Sequence, residues 1–261
     1  MIDTHAHLDA CADRPSALIR RARSAGVDRI VTVGTGIESC HAALELAQLH
    51  EEVFAALGID PHQAGDAEAG RVDELRELLE HEEAVAVGET GLDYFREGAP
   101  RDRQRKLFEA QLELATELGK PVVIHTRDAD TDTADVLAGF DGTVVMHCFS
   151  SPGLVQTVVD RGYYVSFAGN VTYPKAADLR AAAAQIPAER ILAATPIRRK
   201  ISIVRALQRS ILGRNSGAAF CSTSMQRTPR RPRSTASVSP TGPPPTINTS
   251  VCAAGTGDIG P

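Results

Sequence analysis

Short apolar runs alternate with longer stretches of helical period from the first residue to about residue 195. The runs at 2–8, 29–34, 53–59, 84–88, 121–125, 143–147, 163–167 and 190–194 are apolar on nearly every position, the pattern of strands covered on both faces. Between them lie amphipathic segments. The clearest, "RDRQRKLFEAQLELATELGK", lines up Leu107, Phe108, Leu112, Ala115 and Leu118 as one stripe, and Gly119 followed by Pro121 stops it. "ESCHAALELAQLH" and "VDELRELLEH" repeat the arrangement. Alternating buried strands and helices predict a parallel sheet under helices. Eight such runs favour an α/β fold closed as a (β/α)₈ barrel of the TIM type over an open doubly wound sheet.

Beyond residue 195 the pattern changes. "IRRKISIVRALQRSIL" spaces Ile197, Ile201, Val204, Leu207 and Ile211 as a basic amphipathic helix would. From residue 214 onward Ser, Thr, Pro, Gly and Arg dominate without any period, which predicts disorder. The expected organisation is a barrel over 1–213, its eighth unit incomplete, and a disordered tail over 214–261. Charge changes at the same place. Residues 1–190 hold 18 Lys and Arg against 32 Asp and Glu, whereas residues 191–261 hold 10 against 1. The acidic body argues against sequence-independent binding along a long duplex and fits a site where cations meet negative charge.

Hydrophobic residues make up 43% of the chain, enough for a real core, and the absence of Trp makes that core aliphatic. No apolar run approaches membrane-spanning length, and no charged-then-apolar leader precedes the first motif, so a cytoplasmic protein with no membrane partner is expected. Cys11, Cys40, Cys148, Cys221 and Cys252 are widely spaced, with no C-x-x-C among them. Neither a disulfide framework nor a cysteine zinc site is expected. Cys148 reads as small buried filler facing away from its neighbour His147.

The candidate chemistry sits at strand ends. In "MIDTHAHLDA", His5 and His7 share one face of an extended segment. Glu89 ends the fourth run in "AVAVGETGLDY", His125 the fifth in "PVVIHTR" and His147 the sixth in "TVVMHCFS". In a barrel those carboxyl ends meet on one face, where active sites of this fold are built. His62, in "GIDPHQA" after the third run, is placed to face the same mouth, whereas His41, His50 and His81 lie on helical segments and read as solvated. Imidazoles with a carboxylate suit divalent ions such as Zn²⁺ or Mn²⁺, and a carboxylate from a middle strand can bridge two of them. Two ions about 4 Å apart clamp the attacking and leaving oxygens of a phosphoester. Any one of these histidines read alone is as well explained by capping a strand end, but five ligands in register favour the metal site.

"IDTHAHLD", "GIDPHQA", "VGETGLDYFRE", "QRKLFEAQLELATELGKPVVIHTRDA" and "MHCFSS" together resemble the successive motifs of the TatD family of metal-dependent deoxyribonucleases and related hydrolases, over about the first 190 residues. The resemblance implies an amidohydrolase-type barrel with two divalent ions (Mg, Mn or Zn) that hydrolyses phosphodiester bonds in DNA or another phosphoester. By position it assigns His5 and His7 to the first ion, Glu89 to the bridge and the catalytic centre, and His125 and His147 to the second ion. It assigns His62 to substrate phosphate and makes Asp93 a partner of a ligand rather than a ligand. Asp60 stands where the family motif often has another histidine.

The departure comes at the eighth strand. The family has Glu-Thr-Asp followed by Ser or Ala and Pro, with the Asp serving as both ligand and base. Here "RILAATPIRRK" puts Ala194 at the Glu place and Pro196 at the Asp place. Together with the charge jump and the Arg-rich, Ser-rich tail, this reads as a change of reading frame near residue 193. An alternative therefore stands beside the active hydrolase: a metal-binding but catalytically impaired remnant, with Asp93 and Asp9 as the nearby carboxylates able to substitute. A third reading makes the basic segment after residue 196 a nucleic-acid or membrane-surface module. Its "TPRRPR" lacks the interleaved aromatics that stacking needs.

Overall fold

The computed structural model describes residues 1–193 apart from Asp66 and Glu97. The helix expected over 197–211, the tail over 214–261 and the boundary between them lie outside the described residues. Eight parallel strands pair in sequence order: β1 (Ile2–Ala6), β2 (Arg29–Val33), β3 (Val53–Leu57), β4 (Ala84–Asp93), β5 (Val122–Arg127), β6 (Val144–Met146), β7 (Tyr164–Phe167) and β8 (Ile191–Ala193). Approaches between β1 and β8 within 8 Å, Cα to Cα, bring the sheet round into a nearly closed barrel. The open doubly wound alternative is not formed.

Connections between strands carry α1 (Pro15–Ser24), α2 (Ile37–Leu49), α3 (Val72–Leu79), α4 (Arg101–Leu118), α5 (Asp130–Leu137), α6 (Val155–Arg161) and α7 (Ala177–Ala183). Most of the stripe predicted on α4 is buried, and the helix ends as the sequence indicates. Gly119 takes the left-handed conformation at φ 61°, which lets the Lys120 amide donate back to the Ala115 carbonyl at 3.0 Å.

The core has two parts. Ile30, Ala55, Val122, Ile124, Val144 and Met146 point outward and pack with helix residues such as Leu18, Ala43, Leu79 and Phe108. On the opposite face of the same strands Val31, Val33, Phe54, Ala56 and Val123 fill the barrel interior. Small and β-branched side chains suit that narrow space. Alternation thus assigns each strand residue to the helices or to the interior, and the interior rows lead up to the mouth.

Candidate metal centre

Two irregularities in the ladders aim the polar side chains. β4 pairs with β5 through Val87 opposite Val122 and Thr90 opposite Ile124, three steps against two. Val87 packs in the outer core, and Thr90 Oγ1 accepts from the α4 side chain of Gln111 at 2.7 Å, so both face the helices. Gly88 and Glu89 therefore share the place opposite inward-facing Val123, and the extra residue turns Glu89 into the barrel. Gly88 has φ +144°, and a Cβ there would stand 2.6 Å from the Val123 carbonyl oxygen. Only glycine fits this position. β1 repeats the device, with Asp3 opposite Ile30 and Ala6 opposite Thr32. That leaves His5 and His7 on the inner face and Ala6 in the outer core.

The four histidines expected at strand ends converge on Glu89. Its Oε2 lies 3.4 Å from His5 Nε2 and 3.7 Å from His7 Nε2. Its Oε1 lies 2.9 Å from His125 Nδ1 and 2.8 Å from His147 Nε2. Across the centre the His5 and His147 rings stack with centroids 4.0 Å apart. His62 stands one step out: its Nε2 is 3.4 Å from Asp93 Oδ2, which also meets His125 Nε2 at 3.0 Å. His41 is exposed on α2 beside Glu74, at 3.2 Å, and takes no part.

The outer contacts fix which ring nitrogen faces inward. A carbonyl only accepts, so the Val33 oxygen 3.1 Å from His7 Nδ1 places the proton there and leaves Nε2 with a free lone pair. Asp93 does the same for His125 from the opposite side, leaving Nδ1 toward Glu89. Asp93 is itself held by the amides of Phe95 and Arg96, at 2.9 and 3.1 Å. The Asp60 side chain accepts from the His62 and Gln63 amides, so it caps the short turn Pro61–Gln63 that carries His62. Both carboxylates thus position histidines.

Electrostatics follow from the burial of this cluster. Burial alone would raise the Glu89 carboxyl, but the charge of His147 and hydrogen bonds from His125, His147 and His5 outweigh it and hold Glu89 well below the usual carboxylate range. Burial pushes His5 down to about 4, and the neighbouring His147 charge adds to that. For His125 burial is outweighed by Glu89 and Asp93, which raise it. Asp93 is lowered: against burial, the Arg96 amide and His125 stabilise its charge.

The donor set fits divalent ions. His5 Nε2 and His7 Nε2 are 3.2 Å apart, and His125 Nδ1 and His147 Nε2 are 3.3 Å apart. Nitrogens about 2.0–2.1 Å from a tetrahedral ion stand about 3.3 Å from one another. Each pair also shares one oxygen of the same carboxylate. Two further groupings are close enough to hold an ion and divide the residues differently: His5, Glu89 and His147 take one histidine from each pair, and His62, Asp93 and His125 make Asp93 itself a donor. The buried Nδ1 atoms of His5 and His147 have no hydrogen-bond partner among the described residues.

Several features went beyond the sequence reading. The fourth strand runs on through Glu89 to Asp93, because the ladder with β5 absorbs the extra residue instead of breaking at Gly88. Cys148 is half-buried and left-handed at φ 47°, not buried filler, since the chain turns away from the sheet right after Met146. Gln104 and Gln111 were missed altogether. They lie on the buried face of α4, where Gln104 binds the Asp93 amide and carbonyl and Gln111 binds those of Ile59. Polar residues spaced by seven within an apolar stripe were the available signal.

A nearly closed (β/α)₈ barrel with imidazoles and a carboxylate gathered at its carboxyl-end mouth is the framework of a metal-dependent hydrolase. The profile of a family described as TatD related DNase matches residues 2–196, and the chain belongs to that family. The chain is 39% identical over 207 residues to an uncharacterized metal-dependent hydrolase TatD of Mycobacterium tuberculosis, covering 75% of this chain and 78% of the relative. It is 33% identical over 183 residues to a Salmonella typhimurium protein named 3'-5' ssDNA/RNA exonuclease TatD, covering 68% and 70%. The crystal structure of the Escherichia coli TatD homologue YjjV superposes with a TM-score of 0.70 at 34% identity, covering 75% of this chain and 78% of that one.

Proposed function

We propose that this chain is a two-metal hydrolase of phosphodiester bonds in DNA or a related single-stranded nucleic acid. The observation that carries the reading is the division of Glu89, one oxygen facing His5 and His7 and the other facing His125 and His147. Glu89 would bridge two ions held by those pairs. Divalent ions bound there supply Lewis acidity toward a phosphoester oxygen and toward water. The chain's own residues do the rest: Val33 and Asp93 hold His7 and His125 in the ligating tautomer, and Asp60 seats His62 where it can meet a substrate phosphate. The nucleic-acid assignment draws on the Salmonella relative, named as acting on ssDNA and RNA.

Pro196, at the place of the family's aspartate, favours a second reading in which the same centre turns over slowly. Asp93 offers no replacement base, since it is 1% exposed and its oxygens are taken by two amides and two imidazoles. The test is release of nucleotides from a single-stranded oligonucleotide by chelated protein, before and after Mn²⁺ is restored. Activity that returns only with metal supports the reading, and full activity in chelator contradicts it. Slow metal-dependent activity that rises in Ala194→Glu/Pro196→Asp identifies the impaired form.

A further inference from the structure

Among the described residues only two Phe or Tyr rings are exposed, Phe95 at 59% and Tyr173 at 64%. Both lie in loops that follow strand carboxyl ends, Phe95 after β4 and Tyr173 after β7, on the face that gathers the histidines. Phe95 is tied to the site. Its amide donates to Asp93 Oδ1, and the other oxygen of that carboxylate meets His62 and His125. The guanidinium of Arg127, at the end of β5, lies 3.7 Å from the centre of the Phe95 ring. This contact holds the ring in place and leaves most of its surface in water.

Along the chain, the segment that carries Phe95 differs in charge from the body, although Asp128, Asp130 and Asp132 lie near it just after β5. Residues 94–106 carry Arg96, Arg101, Arg103, Arg105 and Lys106 against Glu97 and Asp102, although acidic residues outnumber basic ones over 1–190 as a whole. Arg96 in the loop and the basic first turns of α4, beside one presented ring, match a ligand that is both anionic and aromatic. Nucleotides have that chemistry: phosphates meet cations while a base stacks on the ring, without any reading of sequence.

We infer that Phe95, steadied by Arg127, is a stacking platform for an unpaired nucleobase of a single-stranded nucleic acid whose phosphates enter the metal centre. The inference rests on the nucleic-acid reading above and adds what that reading lacks, a source of preference for single strands. Bases inside a duplex are already stacked on each other and do not reach the ring. Phe95 contacts the base and takes no part in the bond that breaks.

The test compares the full chain in Mn²⁺ binding a short oligothymidylate and an abasic strand of equal length, both with phosphorothioate backbones, by fluorescence anisotropy. Both strands carry the same phosphates, so basic residues elsewhere contribute equally. The expected result is about 5- to 100-fold tighter binding of the base-bearing strand, as one base–aromatic stack supplies. Phe95→Ala should erase that difference and leave the abasic strand unaffected, while Phe95→Trp keeps it. Equal binding of the two strands by the unaltered chain, or a preference that survives in Phe95→Ala, overturns the platform while the nucleic-acid reading stands. Failure of both strands to bind metal-loaded protein overturns the substrate reading and the platform with it.

Discussion

Asp93 shows how one side chain can set the orientation of a neighbouring histidine. By accepting from His125 Nε2 at 3.0 Å it fixes the ring that offers Nδ1 inward. Asp93→Asn should keep the fold and weaken divalent metal binding about 10- to 100-fold, as loss of such partners typically does. Competition against a chelating dye measures it, and unchanged affinity would remove Asp93 from that role. His5 makes a prediction about pH. Its folded value near 4 lies below the ordinary 6.5, so between those values the unfolded chain takes a proton that the folded chain refuses. Stability of the metal-free protein should therefore fall as pH drops from about 6.5 to 4, by on the order of 3 kcal/mol from His5 alone. Raised His125 works in the other direction, since its contribution is present below the ordinary value and lost as pH rises through the folded one. Denaturant melts of His5→Gln beside the unaltered chain isolate the His5 share, and parallel pH profiles would contradict it. The histidines themselves were legible because each stands at the end of an apolar run. Their tautomers were not, since those depend on a Val33 carbonyl and an Asp93 carboxylate brought close only by the fold.

At the scale of elements, eight apolar runs disclosed the strands because parallel strands covered on both faces need apolar side chains on both. The extra residues in β1 and β4 left no such mark. One inserted position does not alter a run of apolar residues, yet it decides whether Glu89 faces the helices or the interior. α4 supports the same region through Gln111, which caps the Ile59 amide and carbonyl at 2.9 Å each and is fully buried. Gln111→Ala should cost about 1–3 kcal/mol for each group left unpaired, read as a lowered denaturation midpoint with unchanged slope. A variant as stable as the parent would show that water replaces those bonds. The amphipathic period of α4 predicted its buried face but not this use of it, because a glutamine among leucines reads first as an interruption.

For the whole molecule, the sharpest division lies along the chain. The family match ends at residue 196, beside the point where basic residues begin to outnumber acidic ones. The barrel was legible up to that point, since its pattern repeats eight times, while the missing aspartate became visible only through the resemblance. Restoring the carboxylates with Ala194→Glu/Pro196→Asp should raise metal-dependent turnover about 10²- to 10⁴-fold, the usual worth of general-base help. No gain in rate would mean that the base comes from elsewhere or that the following segment is also needed. The most direct test of the centre is metal content by elemental analysis after equilibrium dialysis of the full chain. Two divalent ions per chain are expected at saturation, with one lost in His7→Ala, one lost in His147→Ala, and weakened retention of both in Glu89→Ala, folding being checked by circular dichroism. Full metal content in folded Glu89→Ala would contradict the bridging carboxylate.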